Sequence, residues 1–549
     1  MSTDDLPKQN VNSYDFVIVG GGTAGCVIAN RLREYLPDKK VLVIEGGPSD
    51  VGDMRVLDLK NWINLLESDF DYNYGTTEQP MGNSHIRHSR AKVLGGCSSM
   101  NTLISFRPFE YDARRWMAKG CEGWDFNLFT RMADRIKNTF QPVAPQHRNQ
   151  LCRDWIQSCS SALDIPVVEN FNSVIRTHGS LSPSVGFFNI SYNPEDGTRS
   201  SASVAYLHPI LKGKERRPNL TVLTNAWVDR IHIAKDNSTV TGVNVILKSG
   251  ELLKVTPKCE TILCAGAVDT PRLMLLSGLG PKTELESLGI KCVHDIPGVG
   301  ENLIDHPESI IMWELSKPVP EDQTTMDSDG GVFLRREHFN ANGDDGAIVD
   351  VMMHCYQIPF NLNTDRLGYD SPPDRYAFCM TPNIPRPRSR GKLYLVSSDP
   401  RVKPALDFRY FTDPEGYDAA TLVAGIKAAR KVAEKEPFRD WIKREVAPGP
   451  ECQTDEEISE FARRAAHTVY HPSGTTKMGN VKQDVFAVVD PQLRVRGVKN
   501  LRISDAGVFP EIPSVNPMLT VLSVGERTAE CIAECWGYKG RQLVQLAKL

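Results

Sequence analysis

The segment Asp15-Phe16-Val17-Ile18-Val19 runs directly into Gly20-Gly21-Gly22-Thr23-Ala24-Gly25, and a second apolar run, Val41-Leu42-Val43-Ile44, ends on Glu45. A helical stretch, Val27 to Leu36, lies between them. Strand, glycines, helix, strand and terminal acid in this order predict a unit that binds a dinucleotide. Gly20 allows the tight turn, and Gly22 lets the main chain approach a pyrophosphate. Gly25 lets the helix pack close to the strand, so that N–H groups around Thr23 and Ala24 face the phosphates. Glu45 can accept both hydroxyls of a ribose. The pattern alone does not separate FAD from NAD.

With 549 residues the chain can form two or more lobes around a large core. A charged fraction of 24% and a net charge of -4 give no reason to expect a nucleic acid or an anionic membrane as partner. No apolar run approaches the ~20 residues that span a bilayer, and Met1 to Asn12 lacks the apolar core of a signal peptide. The thirteen cysteines show no metal-ligand spacing, so no metal site is expected. Most of them, such as Cys264 within a strand, read as buried reduced thiols of a reducing interior. The chain ends on Ala547-Lys548-Leu549, one small residue away from the peroxisomal Ser-Lys-Leu address. The expected location is peroxisomal, and otherwise cytoplasmic.

No internal repeat is visible. A glycine-rich loop, Leu94-Gly95-Gly96-Cys97-Ser98-Ser99-Met100-Asn101-Thr102, follows the first unit. Residues 220–233 and 238–247 alternate like strands of a hairpin or meander. Residues 260–267 read as another buried strand, and Thr270-Pro271 as the start of a helix. The proline-rich stretch 310–415 suggests a separate antiparallel region. Helices are expected over about 415–436, 454–466 and 517–536.

Several of these segments together resemble the glucose-methanol-choline (GMC) flavin oxidoreductases along essentially the whole chain. They are the first glycines with Glu45, the loop Arg90 to Asn101, Gly266 to Pro271 with Ser277 to Pro281, and Pro297 to Leu303. Ser389-Arg390-Gly391, His471-Pro472 to Met478-Gly479, and Asp505-Ala506 with Asn516-Pro517 complete the set. The resemblance selects FAD over NAD. It implies an α/β (α+β) fold: a discontinuous Rossmann-like FAD-binding domain over 1–155, 195–305 and 465–549, and a substrate-binding domain over 156–194 and 306–464. The latter would hold an antiparallel sheet flanked by helices. The implied cofactor-binding positions are Gly20, Gly22, Thr23, Ala24, Gly25 and Glu45; Gly95, Gly96, Ser99, Met100 and Asn101; Val228 and Ala265; and Asp505, Ala506, Asn516 and Pro517.

Within the family the likeness is strongest to the choline-oxidising branch. It sets His471 and Asn516 beside the reactive edge of the flavin, where alcohol oxidation needs groups that hold an alkoxide-like oxygen and take its proton. His354 matches a second active-site histidine. Glu308 matches a carboxylate facing a trimethylammonium group, which has no N–H to donate and so suits a carboxylate with aromatic faces. Trp62, Tyr470 and Phe360 match that aromatic cage, and Thr102 stands at a serine position.

Besides Thr102 in place of that serine, two further departures qualify the match. Met100 occupies the position of a histidine that ties the flavin covalently, so non-covalent FAD is expected. The loop Thr324 to Gly330 lacks a cage tryptophan, and its Asp327 and Asp329 either face a cationic substrate or belong to a solvated loop. The implied reaction is oxidation of choline or a related amino alcohol, through the aldehyde to glycine betaine, by O2 with release of hydrogen peroxide. A homodimer is a further expectation. Other readings are a dehydrogenase using another acceptor, an oxidase of another primary alcohol, a non-redox FAD-containing lyase and a silent FAD-binding protein.

Overall fold

The computed structural model describes residues 14–538 apart from Lys235, Asn237, 321–323 and 337–348. The tail Ala547-Lys548-Leu549 lies outside the described residues.

The first glycine turn sits at the centre of a parallel sheet. Its elements are β1 (Phe16–Val19), α1 (Thr23–Tyr35), β2 (Val41–Ile44), β3 (Leu220–Leu223), β4 (Glu260–Leu263), α2 (Gly266–Leu276), β5 (Leu501–Ile503) and α3 (Met518–Cys535). The strand order is β5-β4-β1-β2-β3. Phe16 to Val19 pair in register with Val41 to Ile44 on one side and with Glu260 to Leu263 on the other. All four β1 side chains are buried, each stabilised by roughly 1.5–3 kcal/mol relative to exposure. Because strand order reverses around β1, the carboxyl ends of β1, β2 and β4 open a crevice.

Gly20 turns the chain there with φ of +102°, and a Cβ at this position would stand 2.4 Å from the Cys264 carbonyl oxygen. The helix α1 begins at Thr23, four residues before the expected start, because the extended main chain at Gly22 already serves as its cap. The helix α2 likewise begins at Gly266 rather than at Thr270-Pro271. Its start is held from outside, by the Asp505 carboxylate accepting the Gly266 N–H at 3.0 Å. Pro271 lies inside the helix, and the Ala267 carbonyl that its missing N–H cannot reach accepts the Thr475 hydroxyl at 2.6 Å.

The segment 220–247 divides. Trp227–Ile233 and Val240–Ile246 form the expected antiparallel pair, but Leu220–Leu223 joins the parallel sheet beside β2. Alternation of apolar residues carries no information on strand direction.

A second, eight-stranded sheet is antiparallel. Its main path runs Ile442–Ala447, Ile311–Leu315, Ala377–Asn383, Val351–Tyr356, Gly330–Leu334, Ser184–Phe187. Pro307–Glu308 pairs with Ala377–Asn383 and with His467–Thr468, so Glu308 lies opposite both Asn383 and His467. The helices Gln150–Leu163 and Tyr417–Ala433 pack on this sheet, which gives the expected mixed α/β architecture. Helix Gln150–Leu163 runs through the expected domain boundary at residue 155. All thirteen cysteines are free thiols. Among the described residues no helix is long and apolar enough to cross a membrane, and no cluster of His, Cys, Asp or Glu could hold a metal ion.

Candidate active site

One cavity connects the crevice of the parallel sheet to the inner edge of the antiparallel sheet. At its first end it is lined by Gly20, Gly22, Thr23 and Ala24 after β1, by Glu45 after β2, and by Ala265 after β4. The first turn of α1 has no side-chain cap, which leaves its N–H groups available to an anion. The Glu45 carboxylate accepts the N–H groups of Gly21 and Gly47 at 2.9 and 2.8 Å. Burial pushes its pKa up to about 7.

Gly96, Met100, Asn101, Thr102, Val228, Asp505, Ala506, Asn516 and Pro517 also line the cavity. Gly96 closes on the first glycine turn, where a Cβ would stand 2.7 Å from the Gly22 Cα. Asp505 accepts N–H groups from Gly266 and Gly507 and the Thr270 hydroxyl, and burial raises its pKa to about 6.

Three expected cofactor positions stand behind the wall. Gly25 packs under Gly20. Gly95 turns the loop with positive φ, and the Ser99 hydroxyl donates to the Leu94 carbonyl at 2.8 Å. Their role is to shape the loop, since their side-chain space is taken up by protein atoms.

The other end of the cavity is lined by Trp62, Glu308, His354, Tyr356, Tyr470 and His471. The His471 main-chain N–H donates to Asp305 Oδ1 at 2.9 Å, and its ring Nδ1 lies 2.9 Å from Nδ1 of His306. Tyr470 precedes it in the left-handed region, φ 64°. That conformation costs energy for a tyrosine; it is held by the Tyr470 N–H donating to Thr468 and by the Tyr470 carbonyl accepting from Arg90. Burial, together with His306, Arg90 and His354, keeps the His471 pKa well below the usual histidine range. Asn516 is 7% exposed, and its Oδ1 has no hydrogen-bond partner among the described residues.

Glu308 is fully enclosed, and burial raises its pKa to about 8. Its Oε2 lies 3.8 Å from His354 Nδ1. Both rings that approach it, His354 and His467, are kept neutral by burial, with pKa values of about 3 and about 4. Glu308 and His354 are therefore neutral neighbours rather than an ion pair. Neither nitrogen of His354 has a hydrogen-bond partner among the described residues.

Phe360 does not line the cavity. It stacks on Tyr356, ring centroids 4.5 Å apart and planes 5° from parallel, so the wall is Tyr356 with Phe360 behind it. Asp327 and Asp329 do not line it either. Asp329 is buried, its carboxylate bonded by Thr324, Thr325 and Gln357, so the loop is clamped rather than solvated. The sequence reading missed Asp305, His306 and Tyr356. The signal for all three was their place beside residues already singled out, in Asp305-His306-Pro307-Glu308 and His354-Cys355-Tyr356.

Comparison with known proteins decides the family. The N-terminal model of the GMC oxidoreductases matches residues 14–308, and the C-terminal model matches residues 387–525.

The chain is a member of the GMC oxidoreductase family.

It is 40% identical to choline oxidase of Arthrobacter globiformis, over 97% of this chain and 96% of that one. It is 31% identical to an alcohol dehydrogenase [acceptor] of Pseudomonas putida, over 94% of this chain and 95% of that one. Among solved structures, pyridoxine 4-oxidase from Mesorbium loti superposes with a TM-score of 0.84 at 26% identity, covering 94% of this chain and 98% of that one. The cofactor of such GMC flavoenzymes, FAD, fits this cavity on the chain's own features: an uncapped helix start, a buried acid lining the cavity at the end of β2, two glycine turns in contact, and an Asn516 Oδ1 without a partner among the described residues.

Proposed function

We propose that the chain oxidises a primary alcohol bearing a cationic head, choline or a related amino alcohol, with FAD as cofactor and O2 as the acceptor, giving hydrogen peroxide. One observation carries this reading: the enclosed carboxylate of Glu308 faces the same cavity as Trp62, Tyr356, Tyr470, His471 and Asn516. A buried carboxyl without a cation is costly when ionised, and a quaternary ammonium between it and aromatic faces supplies the missing charge. Binding that cation favours the ionised form of Glu308.

At the other end of such a substrate, His471 takes the hydroxyl proton, and Asn516 with neutral His354 orients the oxygen. FAD, when bound along the glycine turns, supplies the two-electron acceptor for the carbon's hydride. Met100 supports non-covalent attachment, because a thioether cannot form the link that a histidine makes. In this reading residues 1–155, 195–305 and 465–549 form the FAD-binding domain, and 156–194 with 306–464 the substrate-binding domain. The aldehyde hydrate would be oxidised again to the betaine, in a homodimer placed by the Ala547-Lys548-Leu549 tail in the peroxisome.

The test is anaerobic reduction of the bound flavin across choline, other amino alcohols and neutral alcohols. Rapid bleaching by cationic alcohols alone is expected. Bleaching by neutral alcohols with equal efficiency would overturn the substrate reading, and no bleaching by any alcohol would favour a lyase or a silent flavoprotein.

A further inference from the structure

Arg199 is 1% exposed, yet among the described residues its guanidinium donates only to main-chain carbonyls: Nε to Val56 at 2.7 Å, Nη2 to Met100 at 3.1 Å, and Nη1 to Asn101. Asp58 acts on it through its charge without a hydrogen bond. The other buried arginines differ. Arg31, Arg272, Arg336 and Arg502 each meet a carboxylate, from Glu526, Asp269, Asp350 and Glu260. Arg33 donates to the carbonyls of Leu36, Pro37 and Lys39 just past the end of α1, where the helix favours a cation. Carbonyl oxygens satisfy the donors of Arg199, and its charge is offset only at a distance by Asp58; a buried charge without a hydrogen-bonded counter-ion is expensive.

The peptides it grips form the cavity wall, since Met100, Asn101 and Thr102 all line the cavity. The side chain of Met100 is packed among Val56, Leu65, Phe70 and Val93. Arg199 thus ties the turn Met54–Leu57 to this loop from behind. An FAD held against the wall would gain one negative charge on taking up two electrons and one proton, and a cation behind that wall in a dry interior is weakly screened.

We propose that Arg199 is a positioning residue that fixes the Met100–Asn101 wall and, through a buried charge that no carboxylate hydrogen-bonds, biases the bound flavin toward its reduced form. This rests on the FAD reading of the cavity, and the test separates the two. Wild type, Arg199→Lys, Arg199→Gln and Arg199→Met are purified, FAD content is measured by absorbance, and each is equilibrated anaerobically with a reference redox dye. Wild-type protein without FAD would remove the underlying reading itself.

With FAD bound, the Gln and Met variants are expected to show a reduced-to-oxidised ratio about tenfold lower at a fixed dye potential. That is the scale of a unit charge acting over roughly 10 Å at an effective dielectric of about 20. The Lys variant keeps the charge and should stay within about threefold of wild type. Ratios in the Gln or Met variant within about twofold of wild type would overturn the proposal, because a purely structural role would weaken FAD binding without moving the ratio. Should both neutral variants lose FAD, the Lys variant decides. FAD retained with a near wild-type ratio supports the need for charge, and FAD lost from the Lys variant as well overturns it.

Discussion

The Nδ1 atoms of His306 and His471 lie 2.9 Å apart, and Nε2 of His306 lies 3.1 Å from the Pro385 carbonyl oxygen. A carbonyl can only accept, so neutral His306 carries its proton on Nε2. Its Nδ1 then accepts from Nδ1–H of His471. Burial keeps both rings neutral. The remaining nitrogen of His471, Nε2, is therefore unprotonated, and no described protein group hydrogen-bonds it. A histidine prepared in this tautomer can take a proton from an alcohol.

Replacing His471 with Ala should slow anaerobic flavin reduction by ~10²-fold or more, the usual scale for a lost proton acceptor or oxyanion partner. Asn516→Ala should slow it as well. Stopped-flow absorbance checks both, and near-normal rates with FAD fully bound would mean that the reacting atoms lie elsewhere.

His306→Phe removes the acceptor that sets the tautomer of His471 while keeping an aromatic ring in place. Reduction should slow by roughly 10-fold, less than in the His471 variant, because the base remains but loses its orientation. FAD content and far-UV circular dichroism should be unchanged. An unaltered pH profile of the reduction rate would argue that the ring pair has no part in proton transfer.

Glu308 is expected to set the pH dependence of binding a cationic alcohol. Its pKa in the protein without ligand is raised to about 8, so below that pH it is neutral and must lose a proton when a cation binds. Affinity for a cationic ligand should rise about tenfold per pH unit up to roughly pH 8 and then level off. Isothermal titration with choline, in buffers of different ionisation enthalpy, should show one proton released at pH 7. Glu308→Gln should cost about 2–4 kcal/mol for choline and little for its neutral isostere 3,3-dimethylbutan-1-ol. Equal wild-type affinity for both compounds would refute a cationic substrate.

Acid precipitation should release yellow FAD into the supernatant, since Met100 cannot hold it covalently. Flavin that stays with the pellet would require another residue to carry the bond.

Tyr356→Leu should weaken substrate binding more than Phe360→Leu, because Tyr356 forms the wall and Phe360 only backs it. A KM comparison tests the order.

The glycine turn after Phe16–Val19, Glu45 at the end of the second strand, the loop to Asn101 and the segments around His471 and Asn516 were legible in the sequence. Their chemistry depends on local patterns: a turn that only glycine tolerates, a strand that ends in an acid, a histidine beside proline. What depends on tertiary packing was not. Leu220–Leu223 alternates like its neighbours, yet lies parallel to β2. Pro271 sits inside a helix where the Thr475 hydroxyl, far along the chain, donates to the Ala267 carbonyl in place of its missing N–H. Phe360 stands behind Tyr356, and Asp329 is clamped rather than solvated. Asp305 and His306 became part of the site only when the antiparallel sheet brought their segment against His471. Local residue chemistry determined what could bind and react, whereas which side chains reach the cavity, and with which proton, followed from packing that no local pattern encodes, from Phe360 on nearby Tyr356 to His306 on His471, 165 residues away.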